Sequence, residues 1–248
     1  MKFIKNIFIL IWRIWYYCLV LLSILIMLPI LTVLISHEKF YKNFYKVANI
    51  WGKVILNGMG FWSEVVELQK IEQHKSYMFV ANHTSMIDIM LILAVVKNPI
   101  VFVGKEELTK IPLFGFIFKR TSITVNRADS KSRKDVYNAA QKRLNNGLSI
   151  CIFPEGLVPS DEGIILSEFK NGAFHLAISH QIPIVPITFY DCKKRFSYTF
   201  FSGGPGKLRV KIHNFIETNS FELKDKGLLK KKTYNLIYNE LISDTKNT

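Results

Sequence analysis

Apolar residues first run unbroken and then arrive in short packets. Residues 14–36 read IWYYCLVLLSILIMLPILTVLIS and carry no charge. The run exceeds the roughly 20 apolar residues that a helix needs to cross a hydrocarbon core. It is too long for a signal-peptide core, and His37-Glu38-Lys39-Phe40-Tyr41 offers no small-residue cleavage site, so the segment is expected to be retained. Pro29 is expected to kink it, and can divide it into two shorter pieces lying in one leaflet. Lys2, Lys5 and Arg13 precede the run, and Lys39, Lys42 and Lys46 follow it. Basic flanks on both sides leave the orientation open and fit an insertion with both ends on the cytoplasmic face. Trp12, Trp15, Tyr16 and Tyr17 have the character of interfacial anchors. The alternative is a core helix of a soluble protein, although such helices are rarely this long.

Beyond this run the pattern changes period. A second helix is predicted over 40–59. Strand-like packets at 76–81, 99–103, 121–125, 148–153, 182–189 and 208–215 then alternate with helical stretches at 86–96, 131–145, 169–180 and 228–242. In the helix over 131–145, Val136, Ala139, Ala140 and Leu144 share one face, and Gly147 supplies a stop. Strands separated by helices of this size require crossover connections. The predicted fold class is therefore α/β, a single domain with a largely parallel sheet flanked by helices, preceded by a membrane-inserted helical segment. The expected division is 1–60 for the membrane-associated helices and 61–248 for the α/β domain. In such sheets ligands bind beyond the carboxyl ends of the strands.

Composition narrows the class. Of 248 residues 49% are hydrophobic, yet 33 Lys and Arg against 19 Asp and Glu give a formal net charge of +14. A disordered polycation would hold far fewer apolar residues, and a polytopic membrane protein would hold fewer charges. Cys18, Cys151 and Cys192 are widely spaced and odd in number. They form neither a disulfide framework nor a zinc pattern. The basic residues lie to either side of a mildly acidic stretch, 146–191.

Candidate chemistry sits where strands end. The packet closing at Ala81 runs into Asn82-His83-Thr84-Ser85-Met86-Ile87-Asp88. A His at a strand's end can reach back to a carboxylate five residues on. The carboxylate would then fix the ring's tautomer and stabilise its protonated form, as a general base requires. The same residues also fit a helix capping box, with Asp88 satisfying backbone N–H groups. No GxSxG motif is present and no thiol lies near a His in sequence, so the imidazole would act on a substrate hydroxyl. The next strand ends carry Gly104-Lys105-Glu106-Glu107-Leu108, then Thr124-Val125-Asn126-Arg127, then Phe153-Pro154-Glu155-Gly156. Lys105 and Arg127 could hold a phosphate between them, or each could be a solvated surface cation.

Together these blocks resemble the glycerolipid acyltransferases, and specifically the 1-acyl-sn-glycerol-3-phosphate acyltransferase family. The likeness covers roughly 75–190. It rests on the His83–Asp88 box, the block from Gly104 through Pro112 and Gly115 to Arg127, Phe153-Pro154-Glu155-Gly156, Phe169-Lys170-Asn171-Gly172-Ala173, and Val185-Pro186-Ile187. The resemblance implies His83 as general base with Asp88 as its partner, and Lys105 and Arg127 at the acceptor phosphate. It places Glu155 and Gly156 at the acceptor site, and Pro186 in a structural or donor-side motif. The family usually continues its fourth block with Thr-Arg-Ser, whereas this chain has Leu157-Val158-Pro159-Ser160. Val158 cannot bind phosphate, so either Arg127, Lys105 and Lys170 suffice or the acceptor is another lysophospholipid or a lyso-aminolipid.

The resemblance further implies an acyl-CoA or acyl carrier protein co-substrate, with no metal or other cofactor. It implies a lysophospholipid acceptor, a phospholipid bilayer as support, and a catalytic domain on the cytoplasmic face of the cell membrane. Lys230-Lys231-Lys232 raises a reading of another class, a membrane-tethered nucleic-acid binder. No helix-turn-helix, RNA-binding or zinc signature accompanies it, and nucleic acid is not expected as a partner. A basic surface equally suits an anionic bilayer.

Overall fold

The computed structural model describes residues 2–126, 130–159 and 163–247. Its strands are β1 (Phe61–Glu67), β2 (Met78–Ala81), β3 (Ile100–Lys105), β4 (Ile123–Val125), β5 (Ser149–Ile152), β6 (Ile184–Phe189) and β7 (Gly206–Ile212). Its helices are α1 (Lys2–Leu34), α2 (Tyr41–Gly58), α3 (Ile87–Val95), α4 (Phe114–Thr121), α5 (Ser130–Asn145), α6 (Gly172–Ser179), the short α7 (Cys192–Arg195) and α8 (Lys226–Asn247). The seven strands make one sheet in the order β1-β7-β6-β2-β5-β3-β4. By contact the chain divides into two compact units, each assembled from three segments. One comprises Met1–Val66, His83–Lys97 and Phe189–Lys211, and the other Glu67–Asn82, Asn98–Thr188 and Ile212–Thr248.

The second unit holds the parallel core. β2 lies between β5 and β6, with Phe79 opposite Cys151 and Val185, and β3 continues the parallel set to β4. Met78 to Ala81 are buried along the whole strand, as are Ile184 to Phe189. Both strands are covered on two faces, which is why they read as continuous apolar runs. α6 buries Ala173, Phe174, Leu176, Ala177 and Ile178. α5 buries Val136 and Ala140, with Ala139 and Leu144 half-buried, and ends before Gly147 at φ +68. An antiparallel partner runs beside β6. The His213 N–H donates to the Pro186 carbonyl, and Ile184 bridges Ile216 in antiparallel fashion.

Three elements carry no readable period. β1 buries only Phe61, so there is no alternation to detect. α4 buries Gly115, Phe118 and Thr121 and lies inside a stretch that reads first as a ligand motif. α7 is a single turn. Gly115 has a packing reason for its identity. A Cβ there would stand 2.1 Å from the Thr109 carbonyl oxygen, while its N–H donates to the Ile111 carbonyl at 2.7 Å. The turn must open to admit a methyl group. Gly115→Ala is expected to destabilise the fold by about 1–3 kcal/mol, read as a lower urea midpoint at unchanged slope. An unchanged midpoint would mean that the turn relaxes freely.

The first unit is built on α1. This helix begins well before residue 14 and runs unbroken through Pro29, so the division into two pieces that Pro29 could have made does not occur. Segment 3–34 is long and apolar enough to cross a membrane, and little of it is buried. Ile9, Arg13, Tyr16, Ile24 and Leu31 form its buried stripe. Trp12 and Trp15 donate from their indoles to the Met59 and Gly58 carbonyls, and Tyr16 is enclosed against Phe196. Two of the expected lipid anchors, Trp12 and Tyr16, therefore serve packing within the protein. The Trp51 indole donates to Ser23 Oγ at 2.8 Å, fastening α2 along α1.

Candidate active site

Asn82 to Ser85 leave the carboxyl end of β2, where a parallel sheet presents its ligand site. The turn that follows is organised by one oxygen. Asp88 Oδ2 accepts the Thr84 N–H at 2.7 Å, the Ser85 N–H at 2.8 Å and a hydrogen bond from His83 Nδ1 at 2.8 Å. The same carboxylate thus both pairs with the imidazole and satisfies the backbone N–H groups of the turn. With its proton on Nδ1, His83 carries its basic lone pair on Nε2. The His83 side chain is 20% exposed and the Asp88 side chain 0%, so the ring is reachable while its orienting charge is sealed from water. Asp88 also lies in the first turn of α3, where the helix dipole favours an anion. The Thr84 and Ser85 N–H groups are committed to Asp88 and are not oxyanion donors in this arrangement.

The helix carrying Asp88 is held from behind by α2. The Tyr45 hydroxyl donates to the Val96 carbonyl at 2.9 Å and the Asn49 amide to the Leu93 carbonyl at 2.6 Å. Gly52 lets the two backbones approach, since a Cβ there would be 2.8 Å from the Met90 carbonyl oxygen. Ser85 turns its hydroxyl to the Phe196 carbonyl. Cys192 is buried close by. Burial first, and the Asp88 carboxylate second, push its thiol well above the ordinary range, so it stays protonated and unreactive. Asp88 Oδ1 is buried without a hydrogen-bond partner among the described residues. Sequence spacing signals His83, Ser85 and Asp88. Cys192 and Phe196 carry no such signal, because only folding brings them to this turn, and Tyr45 meets the far end of α3.

The remaining predicted site residues lie in the second unit. Lys105 is the last residue of β3, half-exposed and in register with Val125. Arg127 lies outside the described residues. Glu155 is 4% exposed, and its Oε2 accepts the Ser167 N–H at 2.8 Å, so it pins the returning loop. Gly156 sits at φ +78 and donates its N–H to the Phe153 carbonyl, a left-handed turn that glycine makes without strain. Lys170 has an exposed side chain and donates its backbone N–H to the Pro154 carbonyl at 2.8 Å. Glu155, Gly156 and Lys170 are thereby gathered in one turn beyond β5. The stacked rings of Phe102 and Phe153 lie 6.4 Å apart between the ends of β3 and β5. Pro186 sits within β6 opposite Val80, which gives it a structural place. Among the described residues no three His, Cys, Asp or Glu side chains gather to hold a metal ion.

Comparison with known proteins bears on the family and the fold. The acyltransferase family model matches residues 63–190. Human 1-acyl-sn-glycerol-3-phosphate acyltransferase beta is 31% identical over 174 residues, 67% of this chain and 60% of that protein. The Escherichia coli 1-acyl-sn-glycerol-3-phosphate acyltransferase is 33% identical over 130 residues, 49% of this chain and 51% of that protein. The chain thus matches between about half and 60% of the length of these relatives. The crystal structure of the 1-acyl-sn-glycerophosphate (LPA) acyltransferase PlsC from Thermotoga maritima superposes with a TM-score of 0.76 over 99% of this chain and 98% of that one, at 24% identity. This likeness establishes a shared fold.

Proposed function

The chain belongs to the acyltransferase family, and on that footing we propose that it is a membrane-bound O-acyltransferase. It moves a fatty acyl group from an acyl thioester to the free hydroxyl of 1-acyl-sn-glycerol-3-phosphate and so forms phosphatidic acid. The observation that carries the reading is the 2.8 Å contact of His83 Nδ1 with the buried Asp88. His83 Nε2 takes the proton of the acceptor hydroxyl, and the oxygen attacks the thioester carbonyl carbon. The tetrahedral intermediate collapses with cleavage of the carbon–sulfur bond, and the imidazolium returns its proton to the departing thiolate. Asp88 stabilises the imidazolium between these steps. No covalent acyl-enzyme and no cofactor is needed, and acyl-CoA or acyl carrier protein enters as co-substrate.

In this reading Lys105, Arg127 and Lys170 bind the acceptor phosphate, and Glu155 and Gly156 shape the turn beside it. α1 holds the chain to the bilayer, with the catalytic residues on the cytoplasmic face. The basic surface serves the anionic membrane and the polyanionic donor rather than nucleic acid.

Val158 supports a second reading, in which the acceptor is a different lysophospholipid or a lyso-aminolipid. One assay separates the two. The purified chain in phospholipid vesicles is given acyl-CoA or acyl carrier protein donors, with lysophosphatidic acid or with acceptors lacking a phosphomonoester. The first reading expects phosphatidic acid from at least one donor. Acylation confined to the other acceptors overturns it in favour of the second, and acylation of neither removes both.

A further inference from the structure

Loop 195–204 ties its serines and several carbonyls inward and turns three of its four aromatic rings, all but Phe196, outward. Its base is closed by the Gly204 N–H donating to the Arg195 carbonyl at 3.0 Å, beside Gly203 at φ +97. A Cβ at Gly203 would stand 2.3 Å from that same carbonyl oxygen. Inside, Ser197 Oγ and Ser202 Oγ are 2.8 Å apart, and the Thr199 N–H donates to Ser197 Oγ at 2.9 Å. Arg13 of α1 is 3% exposed and donates from Nη2 to the Ser197, Thr199 and Ser202 carbonyls at 2.8, 2.9 and 3.1 Å. Its guanidinium also lies over the Phe196 and Phe200 rings at 4.8 and 5.2 Å. A loop tied in this way belongs to the compact class closed at its base and packed by its own side chains.

Outside, Tyr198, Phe200 and Phe201 are 58%, 43% and 53% exposed. Three aromatic rings held in water by a fixed loop are explained by a partner that receives them. Two features identify the partner's chemistry. Lys193 and Lys194 on α7 immediately precede the loop, so two cations stand at its base in the chain. Aromatic rings next to lysines match the boundary between anionic headgroups and hydrocarbon. The loop is also continuous, through Arg13, with α1, whose outward residues Phe3, Phe8, Ile11 and Ile26 are all exposed. We propose that loop 195–204 is a second bilayer-contacting element, seating Tyr198, Phe200 and Phe201 at the headgroup–hydrocarbon boundary. The inference rests on the reading of α1 as the membrane-held helix. It also has a consequence for the site. The Phe196 carbonyl accepts the Ser85 hydroxyl, and the Ser85 N–H donates to Asp88, so the loop sets the catalytic turn at a fixed depth from the lipid.

The test is nitroxide depth measurement on the full chain in phosphatidylcholine–phosphatidylglycerol vesicles. Single cysteines are introduced as Phe201→Cys, Ile26→Cys and, at an exposed acidic position, Glu217→Cys, each with Cys18→Ser because Cys151 and Cys192 are buried. Accessibility to oxygen is compared with accessibility to a water-soluble nickel chelate. Labels at 26 and 201 are expected to favour oxygen several-fold, and the label at 217 the chelate. If 26 is inserted while 201 matches 217, the loop inference falls and the reading of α1 stands. If neither 26 nor 201 is inserted, both fall. A label at 201 shielded from both reagents overturns the inference in favour of a protein partner.

Discussion

His83→Ala is expected to lower the turnover of acyl transfer by roughly 10²–10⁴-fold, the usual worth of a positioned general base, with the acceptor KM changed little. In the proposed mechanism the ring meets the substrate hydroxyl through Nε2, and its loss would remove proton transfer in both the attack and the departure of the thiolate. Stability should be nearly unaffected. His83 is partly exposed, and Asp88 Oδ2 keeps the Thr84 and Ser85 N–H groups when the imidazole is gone. Circular dichroism and the unfolding midpoint should therefore match the parent chain while the rate collapses. A folded variant with a rate within a few-fold of the parent would remove His83 from the chemistry.

What the sequence makes legible follows from how far each signal reaches along the chain. β2 and β6 are buried on both faces, so their apolar runs are visible locally, and the parallel order follows from the helices between them. β1 buries a single residue, so its pairing is decided by the rest of the sheet. Pro29 reads locally as a break, yet α1 continues through it, with Ile24 and Leu31 buried to either side. The His83–Asp88 pair is legible because its residues are five apart and lie across a strand-to-helix turn. Arg13 is the opposite case. It reads as a basic flank of a membrane segment, and its partners at 197, 199 and 202 are far away in sequence. Gly115 reads as part of a ligand motif, while the close Thr109 carbonyl gives it a steric reason.

Asp88 carries two duties, and two substitutions should part them. Asp88→Ala removes the acceptor of the Thr84 and Ser85 N–H groups, in residues that are both buried. An unsatisfied buried group costs about 1–3 kcal/mol, so this variant should lose roughly 2–5 kcal/mol, a large part of an ordinary domain's stability. Its activity should vanish with its fold. Asp88→Asn retains an oxygen able to accept both N–H groups and preserves the side chain's shape. It gives up the negative charge that stabilises the imidazolium formed when His83 takes the proton. The Asn variant should therefore unfold closer to the parent midpoint than the Ala variant does, yet turn over about 10²–10⁴-fold more slowly. Urea denaturation and single-turnover acyl transfer on the same preparations make the comparison. A parental rate for Asp88→Asn would leave Asp88 as a cap alone and His83 without its orienting charge. A slow, well-folded Asn variant beside a poorly folded Ala variant would show that the carboxylate ties the turn and drives the proton transfer through the same oxygen.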